Sequence, residues 1–202
     1  MNARAQSLAD LRFMDAALAR GFAALGTTAP NPAVGCVIVK DLRVIAAAAT
    51  APGGRPHAEA LALEQAGEAA RGATAYVTLE PCAHHGRTPP CAEALAKAGI
   101  ARVVIACGDR FDRVDGRGIA LLEAAGIEVV RDVRLDAAAA HHAGFFARLS
   151  TGRPLVVQDN RPALFDADLV PGPGESLEDA LDRLGRAGMN RVRLAGARET
   201  RR

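Results

Sequence analysis

The sequence predicts an α/β fold in which a β-sheet is covered by helices on both faces. Short apolar runs typical of buried strands alternate with segments whose apolar residues recur at helical spacing. A sheet that is buried on both faces explains why the strand runs are almost continuously apolar. Half of the 202 residues are hydrophobic and only 3% are aromatic, so the core must consist mainly of Ala, Leu, Val and Ile.

The first third of the chain predicts two helices with a β-hairpin between them. Ser7 is a plausible N-cap of the first helix, Gly26 ends it, and Asp41 turns the hairpin. The Pro30-Asn31-Pro32 run cannot be helical, because each proline restricts the residue before it. The predicted helices cover residues 7–25 and 57–65, and the predicted strands cover residues 34–40 and 42–50.

Strands and helices then alternate up to about residue 150. The predicted strands are 73–79, 102–107 and 127–130, and the predicted helices are 91–99, 118–125 and 136–149. From about Thr151 the pattern changes to one capped helix at 176–188 and two short strands at 155–157 and 190–194. Because these elements are too few for a second complete domain, we expect a domain over residues 1–150 and an appendage over residues 151–202.

The charge and composition exclude several classes of partner. A net charge of +2 gives no field strong enough to indicate nucleic acid binding. No run approaches the roughly 18 apolar residues of a membrane span, and residues 1–10 lack the apolar core of a signal peptide. We therefore expect a cytoplasmic protein, in which spaced Cys and His residues bind metal more often than they form disulfides. The sequence leaves open whether the chain forms a homo-oligomer.

Three separated motifs predict one catalytic zinc ion per chain. His57-Ala58-Glu59 begins a predicted helix, Pro81-Cys82 follows a predicted strand, and Pro90-Cys91 opens the next helix. One neutral His and two thiolates suit zinc, and three protein ligands leave the fourth tetrahedral position for water. Glu59 is placed to move a proton between that water and a leaving amine, which is the role of the glutamate in the His-x-Glu motif of zinc deaminases.

The remaining Cys and His residues are interpreted more simply. Cys36 and Cys107 lie in apolar runs and are expected to be small buried residues. The adjacent pair His141 and His142 is expected at the surface or partly buried, because neighbouring helical residues point in different directions. His85 is a weaker candidate ligand in a solvent-facing loop. Cys82 and Cys91 are each expected at a helix start, where the helix dipole favours a thiolate.

Four motifs together resemble the deaminase domain of the bifunctional riboflavin-biosynthesis deaminase/reductase family. They are Pro30-Asn31-Pro32-Ala33-Val34-Gly35, His57-Ala58-Glu59, Val77-Thr78-Leu79-Glu80-Pro81-Cys82 and Gly86-Arg87-Thr88-Pro89-Pro90-Cys91. The resemblance covers about residues 8–155. It implies a three-layer α/β/α sandwich around a mixed five-stranded sheet of the cytidine-deaminase type. It also implies zinc-dependent deamination of 2,5-diamino-6-(5-phosphoribosylamino)pyrimidin-4(3H)-one.

The resemblance also assigns roles to individual residues. It implies that His57, Cys82 and Cys91 bind zinc and that Glu59 shuttles the proton. Substrate contacts are implied for another set of residues, with Arg87 facing the ribose phosphate: Asn31, Thr50, His84, Arg87 and Asp109. The expected partner is therefore a small phosphorylated pyrimidine.

The chain departs from this family in three places. Ala46–Ala49 replaces a Gly-rich segment, where each alanine would cost of order 1 kcal/mol if the backbone required a positive φ. Asp109-Arg110-Phe111-Asp112 replaces the usual Asp-Pro-Asn-Pro loop. Residues 152–157 and 177–195 resemble the first and a late part of the reductase without its body, so we expect no productive NADPH binding. The alternatives are a non-catalytic zinc or ligand-binding scaffold and a deaminase of another base or nucleotide.

Overall fold

The computed structural model describes residues 7–84, 89–108 and 116–194. Its main element is a mixed five-stranded sheet. The strands are β1 (Gly35–Lys40), β2 (Arg43–Ala49), β3 (Thr74–Val77), β4 (Arg102–Ile105) and β5 (Glu128–Val130). Their order is β2-β1-β3-β4-β5. β1 pairs antiparallel with both β2 and β3, whereas β3, β4 and β5 run parallel.

Helices cover both faces of this sheet, which confirms the predicted three-layer α/β/α arrangement. They are α1 (Leu8–Ala23), α2 (Ala58–Ala66), α3 (Cys91–Lys97), α4 (Arg117–Ala124) and α5 (Leu135–Thr151). Successive side chains of β1 point to opposite faces, as strand geometry requires. Cys36 and Ile38 join the core under α2, α3 and α4, whereas Val37 and Val39 join the core under α1 and α5.

Local sequence signals set the start of the fold as expected. The Ser7 hydroxyl accepts a hydrogen bond from the Asp10 amide at 3.0 Å and caps α1. The hairpin turn between β1 and β2 uses two left-handed residues, Asp41 and Leu42. Gly35 lets α1 cross β1 closely, because a Cβ there would lie 1.9 Å from the Ala17 carbonyl oxygen. Cys36 and Cys107 are buried, as predicted.

The alanine run at 46–49 is accommodated without backbone strain. Each of its residues pairs with β1, in register from Ala46 opposite Ile38 to Ala49 opposite Gly35. None of the four has a positive φ. The free-energy cost of placing alanine in a backbone with positive φ therefore does not arise here. Small side chains also suit this strand, because α2 packs closely on it.

Residues beyond α5 form a second, smaller sheet. The strands are β6 (Leu155–Gln158), β7 (Ala167–Asp168) and β8 (Arg191–Leu194), in the parallel order β6-β8-β7, with α6 (Leu177–Arg186) packed on one face. A capping box between Ser176 and Asp179 begins α6. The sequence predicted two strands here and missed β7, because two residues are too few to produce an alternating pattern.

No helix within the described ranges has both the length and the apolar character needed to cross a membrane.

Candidate metal centre

Three side chains from separate elements meet where β3 ends. The ligand atoms of His57, Cys82 and Cys91 lie within 4.8 Å of one another. The Nδ1 atom of His57 is 3.4 Å from the Cys91 sulfur and 3.8 Å from the Cys82 sulfur. Tetrahedral zinc with ordinary bond lengths would separate a nitrogen from a sulfur ligand by roughly 3.5 Å. The three donors therefore stand at a spacing that one ion can bridge.

The backbone around each donor differs from the sequence-based expectation in two details. His57 is the N-cap of α2, one residue before the first turn in which we expected it. Cys91 begins α3 as predicted, but the prediction of a helix start at Cys82 is wrong. The Cys82 carbonyl accepts a hydrogen bond from Ala92 of α3, and its sulfur accepts one from the Cys91 amide at 3.3 Å. Cys82 is thus held by the amino end of α3 and has no helix of its own.

The His57 imidazole and the two cysteine thiols compete for protons, and a bound cation would remove this competition. A hydrogen bond from the Cys91 thiol lowers the pKa of Cys82 to about 4. The neighbouring Cys82 sulfur in turn raises the pKa of Cys91, and contact with Cys82 raises the pKa of His57. A divalent cation relieves this competition, because it stabilises both thiolates and binds the neutral imidazole. A donor set of one nitrogen and two sulfurs fits zinc.

Glu59 lies beside the three donors in the first turn of α2. Its side chain is 3% exposed and lines the same cavity as His57 and Cys82. Burial raises the pKa of the Glu59 carboxyl to about 7, because the charged form loses its hydration. A carboxyl group with this pKa can both accept and release a proton near neutral pH.

The cavity beside the donors contains three of the five predicted substrate residues. Asn31, Thr50 and His84 line it. The Asn31 amide donates to the Gly54 carbonyl at 2.8 Å, and the Thr50 hydroxyl accepts from the Val34 amide at 3.0 Å. His84 is exposed at the rim. Arg87 and Asp109, together with His85 and the rest of the segments 85–88 and 109–115, lie outside the described residues.

Sequence reasoning missed the part that Glu80 plays in this arrangement. Its buried carboxylate accepts hydrogen bonds from the amides of Gly118 at 2.9 Å, Gly116 at 3.2 Å and Ile119 at 3.3 Å, at the amino end of α4. A Cβ on Gly118 would lie 2.0 Å from the Pro81 carbonyl oxygen, so α4 packs directly on the chain that leads to Cys82. No local sequence signal predicts a helix cap when the capping residue lies 38 residues before the amide that it binds.

A second missed residue is Arg55, which lines the cavity from the loop before α2. Its side chain is exposed and makes no ion pair with a described residue. The sequence placed Arg55 in a loop but contained no signal that the loop folds over the donor set. Its guanidinium is a fixed positive charge at the cavity.

One of the two adjacent histidines of α5 is more buried than the sequence suggested. His141 Nε2 lies 2.6 Å from the Ala33 carbonyl oxygen, and His142, which is 2% exposed, lies 3.2 Å from the Thr78 hydroxyl. Burial lowers the pKa of both imidazoles. His141 is partly buried, within the expectation for the pair, whereas His142 is fully buried because α5 packs on the segments that lead into and out of the sheet.

Comparison with known proteins gives matches to zinc-binding deaminases. The profile of the cytidine and deoxycytidylate deaminase zinc-binding region matches residues 8–107. The chain is 49% identical over 150 residues to the riboflavin biosynthesis protein RibD of Escherichia coli, covering 74% of this chain and 41% of that protein. It is 49% identical over 128 residues to the diaminohydroxyphosphoribosylamino-pyrimidine deaminase of Buchnera aphidicola, covering 63% of this chain and 87% of that protein.

A solved structure extends the likeness in fold. A diaminohydroxyphosphoribosylaminopyrimidine deaminase/5-amino-6-(5-phosphoribosylamino)uracil reductase from Thermotoga maritima superposes with a TM-score of 0.80 at 24% identity. The superposition covers 93% of this chain and 81% of the other. By contrast, the chain spans about two fifths of the length of the E. coli relative. The zinc-binding match and the His/Cys/Cys cluster together support one zinc ion per chain.

Proposed function

Because the chain belongs to the zinc-dependent pyrimidine deaminase family that includes the Buchnera enzyme, we propose that it deaminates 2,5-diamino-6-(5-phosphoribosylamino)pyrimidin-4(3H)-one. The reaction is hydrolytic: one water is consumed, the bond from the ring carbon to the 2-amino nitrogen breaks, a bond to oxygen forms, and ammonia leaves. The observation that carries this proposal is the buried Glu59 beside three donors that one zinc ion can bridge. Such a reaction belongs to riboflavin biosynthesis.

His57, Cys82 and Cys91 hold the zinc ion in this proposal. The spacing between the His57 nitrogen and the two sulfurs supports this role, as does the amide of Cys91, which stabilises the Cys82 thiolate. When bound, zinc supplies Lewis-acid activation of water at neutral pH. Three protein donors leave one tetrahedral position open, as catalytic zinc sites require.

Glu59 carries the proton from water to the substrate. Its carboxylate accepts one proton from the attacking water and delivers it to the ring nitrogen. After the new C–O bond has formed, it accepts the second proton of that water and delivers it to the departing amine, which leaves as ammonia. Its place on α2, two residues from His57, keeps the carboxylate on the cavity side of the donor set. Burial excludes bulk water, which would otherwise exchange the proton before it reaches the leaving group.

The substrate contacts are divided between the two ends of the cavity. Near the donors, Asn31 uses Nδ2 to bind Gly54 and can offer its Oδ1 atom to the substrate, and Thr50 keeps its hydroxyl proton for the same purpose. Towards the rim, we assign the ribose phosphate to side chains that can donate hydrogen bonds to a dianion. These are Arg55 and His84, which line the cavity, together with Arg87. The contact that the family resemblance implies for Asp109 is a separate one, because a carboxylate does not bind a phosphate.

The division of the chain at about residue 150 is part of the same proposal. Residues 1–150 contain the five-stranded sheet and all four residues assigned to zinc and proton transfer. We assign residues 151–202 as a reductase-like unit that is not an independent domain. Its support is the separate three-stranded sheet, with a small core of Leu169, Ala180, Leu184 and Val192.

Ammonia release from the diaminopyrimidine ribotide by the zinc-loaded protein tests the function. We expect one ammonia per substrate consumed and the same rate with or without NADPH. The dephosphorylated nucleoside and cytidine serve as competing substrates. Faster release from either of them would replace the proposed substrate. No ammonia from any of them, with one zinc bound per chain, would instead favour a zinc-containing ligand-binding scaffold.

A further inference from the structure

The turn that carries Asn31 is held from outside the five-stranded sheet by one buried residue of the smaller sheet. Asn190, which is 7% exposed and immediately precedes β8, lies against this turn. Its side-chain Nδ2 donates to the carbonyl oxygens of Pro30 at 3.3 Å and Asn31 at 3.1 Å. These contacts link positions separated by about 160 residues in sequence, so they can form only if the smaller sheet docks here.

Every polar group of Asn190 has a partner. Its side-chain oxygen accepts from Arg148 Nε at 2.7 Å, its amide donates to Asp166 at 2.7 Å, and its carbonyl accepts from the Leu155 amide at 2.9 Å. Because each of these bonds fixes a different direction, the Nδ2 group has little freedom to rotate away from the turn. Asn190 is thus a rigid anchor, not an adaptable surface contact.

Two glycines make this close approach sterically feasible. A Cβ on Gly144 of α5 would lie 2.6 Å from the Asn190 carbonyl oxygen. A Cβ on Gly188, whose φ is +84°, would lie 2.8 Å from the Pro30 side chain. Any larger residue at either position would push the smaller sheet away from the turn. The sequence therefore provides both the hydrogen-bonding residue and the space that it needs.

Arg148 adds a second link between α5 and the same turn. Its Nη2 atom donates to the Pro30 carbonyl at 2.8 Å, while its Nε binds Asn190. The guanidinium also lies over the ring of Phe145 at 5.9 Å, and Phe145 lines the metal-site cavity. Arg148 thus contacts both the Pro30–Asn31 turn and a residue that lines the cavity.

We infer that Asn190 is a positioning residue for the substrate-binding turn, and that the smaller sheet therefore completes the substrate cavity of the deaminase unit. Asn31 is the only link between the anchor and the cavity that this inference needs: its carbonyl is bound by Asn190 and its side chain lines the cavity and binds Gly54. Asn190 itself does not line the cavity and acts on it through Asn31.

The test compares Asn190→Asp with a control three residues further on, in β8. Asn190→Asp keeps the oxygen that binds Arg148 but replaces the Nδ2 donor by an oxygen that repels the two carbonyls. Arg193→Gln is the matched control, since Arg193 pairs with Asp168 on the far side of β8 and makes no contact with the turn in the described structure. We expect Asn190→Asp to raise KM for the ribotide about tenfold, with kcat within a factor of about three and unchanged zinc content. Arg193→Gln should leave all three values unchanged.

Amide hydrogen exchange gives a second measurement that needs no substrate. In Asn190→Asp, the amides of Asn31 and Gly53, which bind the carbonyls of Thr28 and Thr27, should exchange about tenfold faster. Amides of α3 should keep their rates. This measurement separates the inference from the proposed function on which its kinetic arm rests. A wild-type protein that releases no ammonia overturns the function alone, whereas unchanged exchange at Asn31 and Gly53 overturns the inference alone.

A milder variant covers the case in which Asn190→Asp fails to fold. Arg148→Gln removes the bond to Pro30 and the bond from Nε to the Asn190 side-chain oxygen, but keeps the Asn190 Nδ2 donor. We expect a rise in KM of about threefold with faster exchange at Asn31. Unchanged KM and unchanged exchange in a folded Arg148→Gln protein would contradict the inference.

Discussion

The two ends of the five-stranded sheet carry buried polar clusters of opposite character. At the amino ends of β3 and β4, Asp10 accepts two hydrogen bonds from Arg102, at 2.8 and 2.9 Å, and one from Tyr76 at 2.9 Å. At the opposite end, the two cysteine sulfurs and the His57 imidazole compete for protons. The Asp10 cluster balances its charges internally, whereas the cysteine cluster requires a cation from outside.

Cavity size alone would place the functional site at the wrong end of the sheet. The space beside the Asp10 cluster measures about 510 Å³, against about 120 Å³ beside the cysteine cluster. In the larger space the buried Asp10 carboxylate is paired with Arg102, which also lies 3.6 Å from Glu128, so the buried charge there is already matched. A buried polar group marks a functional site when its charge is unmatched, and a matched ion pair of the same burial is a structural element.

Among substitutions that distinguish the two clusters, removing one metal donor should have the largest effect. We expect Cys91→Ser to lose stoichiometric zinc and all measurable deamination, because an alcohol is a far weaker ligand than a thiolate at neutral pH. Metal analysis after dialysis, with wild-type protein treated in parallel, measures this loss. Full zinc occupancy in Cys91→Ser would remove Cys91 from the ligand set.

Changing Glu59 should separate metal binding from turnover. Glu59→Gln preserves the shape of the side chain but cannot accept a proton, so turnover should fall by roughly 10²–10⁴-fold while one zinc per chain remains. Initial rates of ammonia release, together with metal analysis, provide the measurement. A variant with near-normal turnover would show that another group moves the proton.

The Asp10 cluster should affect stability and leave the chemistry unchanged. Breaking this largely buried pair by Asp10→Asn should lower the free energy of unfolding by about 3 kcal/mol. Denaturant titration measures this value, and zinc content and KM should stay at their wild-type values. A loss of zinc in Asp10→Asn would mean that the two ends of the sheet are not independent.

The same carboxylate predicts a pH dependence of stability. Hydrogen bonds from Arg102 hold the pKa of Asp10 below its ordinary value of 3.8. A depressed folded-state pKa stabilises the protein at pH values above 3.8, and this contribution is lost as the pH falls through the folded-state value. The wild-type protein should therefore lose stability faster than Asp10→Asn as the pH falls below about 4. Parallel loss in both proteins would exclude Asp10 as the source.

The smallest effect is expected from the two arginines that we assign to the phosphate. Arg102 has its carboxylate within the protein, whereas Arg55 has no ion-pair partner among the described residues. We expect Arg55→Ala and Arg87→Ala each to raise KM for the ribotide by about three- to tenfold and to leave KM for the dephosphorylated analogue unchanged. Equal effects on both substrates would show that the arginine does not bind phosphate.

Much of this contrast could be predicted from sequence, because it depends on short-range patterns. The spacing of apolar residues gave the strands and helices of the main sheet, and His57, Cys82 and Cys91 were found from residue type and flanking prolines. What the sequence could not provide were contacts between distant residues. Glu80 capping α4 and Asn190 binding the Pro30–Asn31 turn join segments whose proximity is decided only by the packed fold.

The errors in secondary structure have the same origin. Cys82 was expected at a helix start, as Cys91 was, yet the Cys82 carbonyl accepts a hydrogen bond from Ala92 of α3. His142 was expected at the surface or partly buried because neighbouring helical residues point in different directions, but it is fully buried and the Thr78 hydroxyl provides its partner. In each case tertiary hydrogen bonds override a local preference.

The composition of the Asp10 cluster also determines how the protein can be observed by light. The chain has no Trp and a single Tyr, and that residue is Tyr76. Its emission therefore reports on the Asp10 end of the sheet and not on the metal. Burial, together with its bond to Asp10, raises the pKa of the Tyr76 phenol to about 12, so the phenolate band should be absent at pH 10.5 in the folded protein and appear on unfolding. An ultraviolet absorbance titration can thus follow the structural end of the sheet while zinc is added or withdrawn at the other.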